Sequence, residues 1–312
     1  MTDKSIVGVD VSKDWLDLAI VSGVGAERIK NDELAIARWL KRVKPDLVAF
    51  EPTGGYERVL QRCLRAQGIL FVRVHPNAVI AYRKSRGIKA KTDKIDARLI
   101  AEFASEVLSR RGLKPSLAGD EVLRELAARR RQIGDAIHAE NCRLGLAETK
   151  AVRKSITLVI ASLSRSLKAI EAEIRQHLKA DTDAWQLQNL LQTITGVGPV
   201  VSMTFLADLP ELGHLSGKQI ASLVGLAPLT CQSGKAIGRD RIGYGRPAVR
   251  GVLFNAARSA IQRPCPFKAF YDRLVTEHRK SGKVALVAVM RKILVTANAI
   301  ARDRKPWRFA DA

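Results

Sequence analysis

Three short β-rich runs at 6–11, 16–21 and 27–30 follow one another with only turns between them. Two more, at 47–50 and 69–74, are each preceded by a helical pattern, at 34–43 and 56–67. Further helices begin near 77 and 93, so the order βββαβαβα defines an α/β domain that starts with a three-strand meander. No other feature limits the possible folds as strongly.

Beyond that domain, taken as 1–115, the texture changes. From 122 to 179 the chain reads as helical throughout and contains no proline. Ile156, Leu163 and Ile170 are spaced by seven, as are Ile160, Leu167 and Ile174, which is the alternating four-and-three spacing of a coiled-coil seam. Two readings stand side by side for this connector, 116–182: a dimerising coiled coil, or a long amphipathic helix packed on its own domain. From 183 to 312 glycine-punctuated helices follow, at 187–195, 198–207, 217–224, 247–262 and 283–302, with a loop from 227 to 245. The whole is an α/β domain, a helical connector and a mostly α-helical third part.

Lys plus Arg number 53 against 31 Asp plus Glu, a net charge of +22. Such an excess repels itself unless a polyanion neutralises it, so nucleic acid is the first partner to expect. A membrane surface is the rival. The most apolar stretch, 284–301, carries Arg291 and Lys292 at its centre, and no bilayer span is expected. The N-terminal apolar run is too short for a signal peptide and contains Asp10. The four cysteines lie far apart without a C-x-x-C pair, which suits a reducing cytoplasm and suggests neither disulfides nor a cysteine zinc site.

Asp10 sits among β-formers in Ile6-Val7-Gly8-Val9-Asp10-Val11, where a carboxylate needs a partner such as a metal. Glu51 follows the strand 47–50, at the carboxyl end where α/β sheets place their ligands. Asp93 and Asp96 share one face of a helix that Thr92 can cap, although helix first turns favour Asp for the dipole alone. Acids on the first strand, after the fourth and on the last helix have the layout of the RNase H-like fold. There, such acids hold two divalent metals for phosphodiester chemistry. Magnesium suits all-carboxylate ligation, with manganese as the substitute.

Arg83, Lys84, Arg86, Lys89, Lys91, Lys94 and Arg98 form a basic run around the acidic pair, read either as a solvated face or as a grip on phosphates. In the third part, Ile194-Thr195-Gly196-Val197-Gly198 resembles the hairpin of helix-hairpin-helix modules, with Gly196 and Gly198 able to bring backbone amides to a phosphate. A tight helix-to-helix turn is the plainer reading. The loop holding Ser233 carries Lys235, Arg239, Arg241 and Arg246, with Arg250 just beyond it. By composition Ser233 is a turn serine, no histidine lies nearby to act as its base, and none of the five histidines forms a metal-spaced pair.

Together these residues resemble the insertion sequence 110 family of transposases, described as RNA-guided recombinases of the DEDD type. The carrying motifs are Gly8-Val9-Asp10-Val11-Ser12-Lys13, Glu51-Pro52-Thr53-Gly54-Gly55-Tyr56 and Lys91-Thr92-Asp93-Lys94-Ile95-Asp96-Ala97. Further along they are Thr195-Gly196-Val197-Gly198-Pro199, Gly225-Leu226-Ala227-Pro228 and Ser233-Gly234. The resemblance spans nearly the whole chain. It implies a RuvC-like domain whose metal-binding acids are Asp10, Glu51, Asp93 and Asp96, and a nucleophilic serine at Ser233, with Tyr244 and Ser259 as alternative nucleophiles. It also implies strand cleavage and exchange of donor and target DNA through a phosphoserine link that a free 3'-hydroxyl reverses, with two magnesium ions per site. A structured noncoding bridge RNA would choose the target, and a dimer or tetramer would assemble composite sites.

The alternatives are an RNase H-like Holliday-junction resolvase or nuclease that uses water as nucleophile, an actin-like sugar kinase, and a non-catalytic RNA-binding scaffold. The kinase needs a second phosphate loop and a duplicated domain, and the sequence shows neither. The scaffold explains the charge but not the four acids.

Overall fold

The computed structural model describes residues 5–21, 26–88, 93–111, 119–228, 232–233, 236–237 and 241–308. Side chains at 93–94, 107–111, 232–233 and 236–237 lie outside that description. The chain divides into two compact units, Met1–Ser116 and Leu117–Ala312.

The first unit contains β1 (Ile6–Val11), β2 (Trp15–Ile20), β3 (Ala26–Lys30), α1 (Glu33–Val43), β4 (Leu47–Phe50), α2 (Arg58–Ala66), β5 (Leu70–Arg73), α3 (Pro76–Ser85) and α4 (Asp93–Arg111). Its sheet has the order β3-β2-β1-β4-β5. β1, β2 and β3 pair antiparallel, while β4 joins β1 and β5 joins β4 in parallel. This is the sheet topology of the RNase H-like fold expected from the element order.

Because side chains alternate along a strand, the sheet has two differently covered faces. Val7, Val9, Val11 and Phe50 pack with Ile36, Trp39, Leu60 and Leu64 of α1 and α2. Ile6, Leu47, Ala49 and Val72 pack with Leu99, Ile100 and Ala104 of α4. Gly8 belongs to the second face. A Cβ placed there would lie 2.1 Å from the Ala97 carbonyl oxygen and 2.4 Å from the Ala101 nitrogen, so α4 rests on bare β1 backbone.

In the second unit, α5 (Glu121–Leu146) and α6 (Lys150–Ala180) replace the single helix expected over 122–179. The chain breaks at 147–149, where Ala147 is extended and Thr149 caps α6 through the Val152 amide. Helices joined by so short a link run antiparallel, and α6 packs along α5. The heptad residues from Ile156 to Ile174 are all half-buried or buried in α6, so the chain meets this seam with its own α5. Val152, Leu158 and Val159 of α6 are exposed, as is Leu146 at the end of α5.

There follow α7 (Thr182–Leu191), α8 (Pro199–Asp208), α9 (Gly217–Val224), the short strands β6 (Gln232–Ser233) and β7 (Ala236–Ile237), α10 (Pro247–Ala260), α11 (Pro266–Thr276) and α12 (Gly282–Asp303). By length and composition α12 could cross a membrane. Its apolar residues Val289, Met290, Ile293, Leu294 and Ala297 are instead buried in the core of the unit, against α9, α10 and α11 among others.

Candidate active site

Asp10 projects from β1 on the face covered by α4, two residues beyond Gly8. The parallel pairing of β1 with β4 runs through Val9 and Phe50, and one further step of that register sets Asp10 beside Glu51. Both carboxylates therefore lie at adjacent strand ends and on the same face. Asp10 is also directly opposite Asp17 on β2, and Asp17 is opposite Arg28 on β3. Asp17 is 3% exposed and takes a forked pair of hydrogen bonds from Arg28, at 2.9 and 2.8 Å. A charge-neutralised carboxylate thus borders Asp10.

Two polar side chains, the half-buried Asn31 and the buried Glu57, absent from the sequence-based expectations, set the loops that carry these acids. Asn31 donates its side-chain amide to Ser12 O and Tyr56 O, both at 3.0 Å, which ties the turn after β1 to the loop after β4. Its Oδ1 is buried without a hydrogen-bond partner. Glu57, 6% exposed, accepts from the amides of Thr53 at 3.2 Å and Gly55 at 3.0 Å, with Arg73 3.8 Å away. Gly54 and Gly55 take positive φ values of 61° and 97°, which lets the loop fold back on this carboxylate. The second acid of Glu51-Pro52-Thr53-Gly54-Gly55-Tyr56-Glu57 was the available signal for this clamp. Glu57→Ala is expected to lower strand cleavage about a hundredfold through misplacement of Glu51, with DNA affinity unchanged in a gel-shift titration. Glu57→Gln, which can accept from the same amides, should recover most of the loss.

The other two acids come from α4. Asp93 opens the helix, one turn before Ala97, and its side chain lies outside the described residues. Asp96 forms an ion pair with Arg83 of α3 through its Oδ1, while Arg83 Nε is buried without a hydrogen bond. Among the described residues no three His, Cys, Asp or Glu side chains come close enough to hold a metal ion. The donor chemistry nevertheless fits a hard divalent cation: two carboxylates side by side on the sheet, and a third on α4 that Arg83 neutralises.

The basic run is partly turned inward. Arg83 is taken by Asp96, while Arg86 and Arg98 both reach Glu102, at 3.4 and 3.1 Å. Arg86 also lies over the Tyr82 ring, whose hydroxyl is buried without a partner and held above its usual pKa by that burial. Lys84 is exposed; Lys89 and Lys91, and the side chain of Lys94, lie outside the described residues.

In the second unit, Ser233 pairs with Ala236 across the two-residue connection Gly234-Lys235. Its side chain, Lys235 and Arg239 lie outside the described residues, and Arg241 is exposed. The ends of this loop are clasped. Gly225 and Gly245 have φ values of 81° and 65°, and a Cβ on Gly225 would fall 2.3 Å from Tyr244 O. Arg250 donates to Val224 O at 2.9 Å and to Tyr244 O, so it closes the loop rather than facing solvent. Arg246 is likewise engaged internally, forked onto Glu211 and bonded to Asp208 O, all at 2.6 Å. Tyr244 is exposed, and Ser259 lies half-buried within α10. Gly196 packs its Cα against Ala256 O and Ala260, whereas Gly198 caps α8 with open space around it.

A mixed sheet of this order, with acids at the ends of its central strands and on the helix across them, defines a domain of the RNase H-like class. The chain belongs to the IS116/IS110/IS902 family of transposases. The IS110 model of DEDD transposases matches residues 7–145, and the IS116/IS110/IS902 transposase model matches 188–272, together more than half of the chain. The pilin gene-inverting proteins of Moraxella lacunata and Moraxella bovis are each 25% identical over 97% of this chain and 98% of their own length. Among solved structures, Thermus thermophilus RuvC in complex with a Holliday junction substrate matches 36% of this chain and 100% of its own, at 16% identity and a TM-score of 0.30.

Proposed function

We propose that this transposase cuts and exchanges DNA strands with Ser233 as nucleophile and Asp10, Glu51, Asp93 and Asp96 as holders of divalent metal, magnesium by preference. The reading is carried by the placement of Asp10 and Glu51 at adjacent strand ends under α4, in a chain of this family. Bound there, the metal would supply Lewis-acid charge at the scissile phosphate. Ser233 loses its hydroxyl proton as its Oγ bonds to phosphorus, and one phosphorus–deoxyribose oxygen bond breaks to leave a free sugar hydroxyl. A sugar hydroxyl of the exchanged strand then attacks the phosphoserine and restores Ser233. One phosphodiester is spent and one made, so no nucleotide triphosphate is required. The acids and Ser233 belong to different units, and assembly of two or four subunits would bring them together.

The net charge of +22 supports a second nucleic acid beside the DNA, a structured noncoding RNA that selects the target by base pairing. Purification from the native host followed by sequencing of the bound RNA should yield one abundant transcript encoded beside the gene. In the same preparation, Ser233→Ala should form no covalent protein-DNA adduct with nicked substrates. Metal-dependent cleavage that survives this substitution would favour the water-using nuclease, and random RNA fragments released by salt would remove the guide.

A further inference from the structure

The second unit holds a cavity of about 510 Å³ between α6, α7 and the start of α8, a size within the usual ligand range. Its floor is apolar, made by the buried Ile174, Leu178 and Met203. Trp185 of α7 forms one wall, half-buried, with the Lys179 ammonium 5.5 Å from its ring centroid. Gln188, one helical turn away, is only 5% exposed. Its side chain lines the cavity, where the amide can both donate to and accept from a guest.

The rim is basic. Arg175 and Lys179 stand one turn apart on α6, and Lys168 extends the row along the adjoining groove. The single acid there, Glu171, is already paired with Arg130 at 2.7 Å. Pro199 and Val200 bring in the first turn of α8, whose cap residue Gly198 supplies no side-chain acceptor, so that helix end is open to an anion.

We propose that this cavity seats an unpaired nucleotide flipped out of the bound nucleic acid. The base would lie on the Trp185 ring and bond to the Gln188 amide, and its phosphates would face Arg175, Lys179 and the α8 N-terminus. A stacking wall, an amide able both to donate and to accept, and a cationic rim are what a base with its backbone requires. A purely apolar guest would not use the Gln188 amide, and a free phosphate would not use Trp185. The proposal rests on nucleic acid being the ligand, and not on Ser233 or the metal-binding acids.

The test uses full-length protein and fluorescent hairpins that carry one bulged nucleotide, the same bulge without its base, or no bulge, each made as RNA and as DNA. Wild type should bind the bulged hairpin about tenfold more tightly than the abasic one. Trp185→Leu and Gln188→Leu should each abolish that ratio while affinity for the paired hairpin stays unchanged, which also shows that the variants are folded. The arm showing the ratio, RNA or DNA, identifies the strand. Arg175→Ala, on an exposed side chain, should weaken bulged and abasic hairpins alike. Equal affinity for base and abasic bulges in both arms would overturn the seat while leaving nucleic-acid binding intact. A ratio that survives both leucine variants would also overturn it, as would failure to bind every hairpin, which would remove nucleic acid as the ligand as well.

Discussion

Asp10→Asn is expected to cut DNA at least about a thousandfold more slowly than wild type while binding it as well and melting no lower. The side chain keeps its size but gives up the charge a divalent cation needs, and several kcal/mol of charge stabilisation converts to three or more powers of ten in rate. Stability should hold because asparagine fills the volume of Asp10 and can accept hydrogen bonds in its place, on a strand held by its pairing with β2 and β4. Glu51→Gln and Asp96→Asn should behave alike in rate. Asp96→Asn should melt lower than Asp10→Asn, because it strands the half-buried Arg83. Cleavage by Asp10→Asn within about tenfold of wild type would remove these acids from the chemistry.

The second large effect is expected from a residue with no side chain. In Gly8→Val the first added carbon alone meets the Ala97 carbonyl and the Ala101 nitrogen at distances no pair of atoms tolerates. Neither can move without the whole of α4. Overpacking of this kind costs about 3 kcal/mol or more, which for a unit of this size lowers the melting temperature by roughly 10 °C. Calorimetry should show the loss, and strand cleavage should vanish with it, since α4 carries Asp93 and Asp96. Gly134→Ala is the control: it lies inside α5 with nothing within 4 Å, and should stabilise slightly. A Gly8→Val protein that melts with wild type would mean that α4 does not rest on β1 in solution.

The sheet was legible because the β-branched Ile6-Val7 and the short apolar run from Leu47 to Phe50 favour strands, and acids inside or just after them stand out. The break between α5 and α6 was not. Leu146, Ala147 and Glu148 all favour helix, and only the pairing of α6 back onto α5 selects a turn there. α11 was overlooked because Pro264 reads as the stop of the helix before it, although Pro266 occupies a permitted position in the first turn of the next. In the site, positions of the acids could be read, but not their supports. Asn31 donates to backbone carbonyls 19 and 25 residues away, Glu57 acts through burial and the amides of its own turn, and Arg246 and Arg250, read as phosphate ligands, have Glu211 and the loop carbonyls as partners within the fold.

The clasp at Gly225 and Gly245 gives the segment that carries Ser233 a fixed point of attachment. Ser233 lies eight positions after Gly225, and a chain of that length spans at most about 28 Å whatever path it takes. Beyond that radius the effective concentration of the hydroxyl is zero. With Ser233 as the proposed nucleophile, a subunit of a synaptic assembly would serve only phosphates that lie within that distance of its own glycine knot.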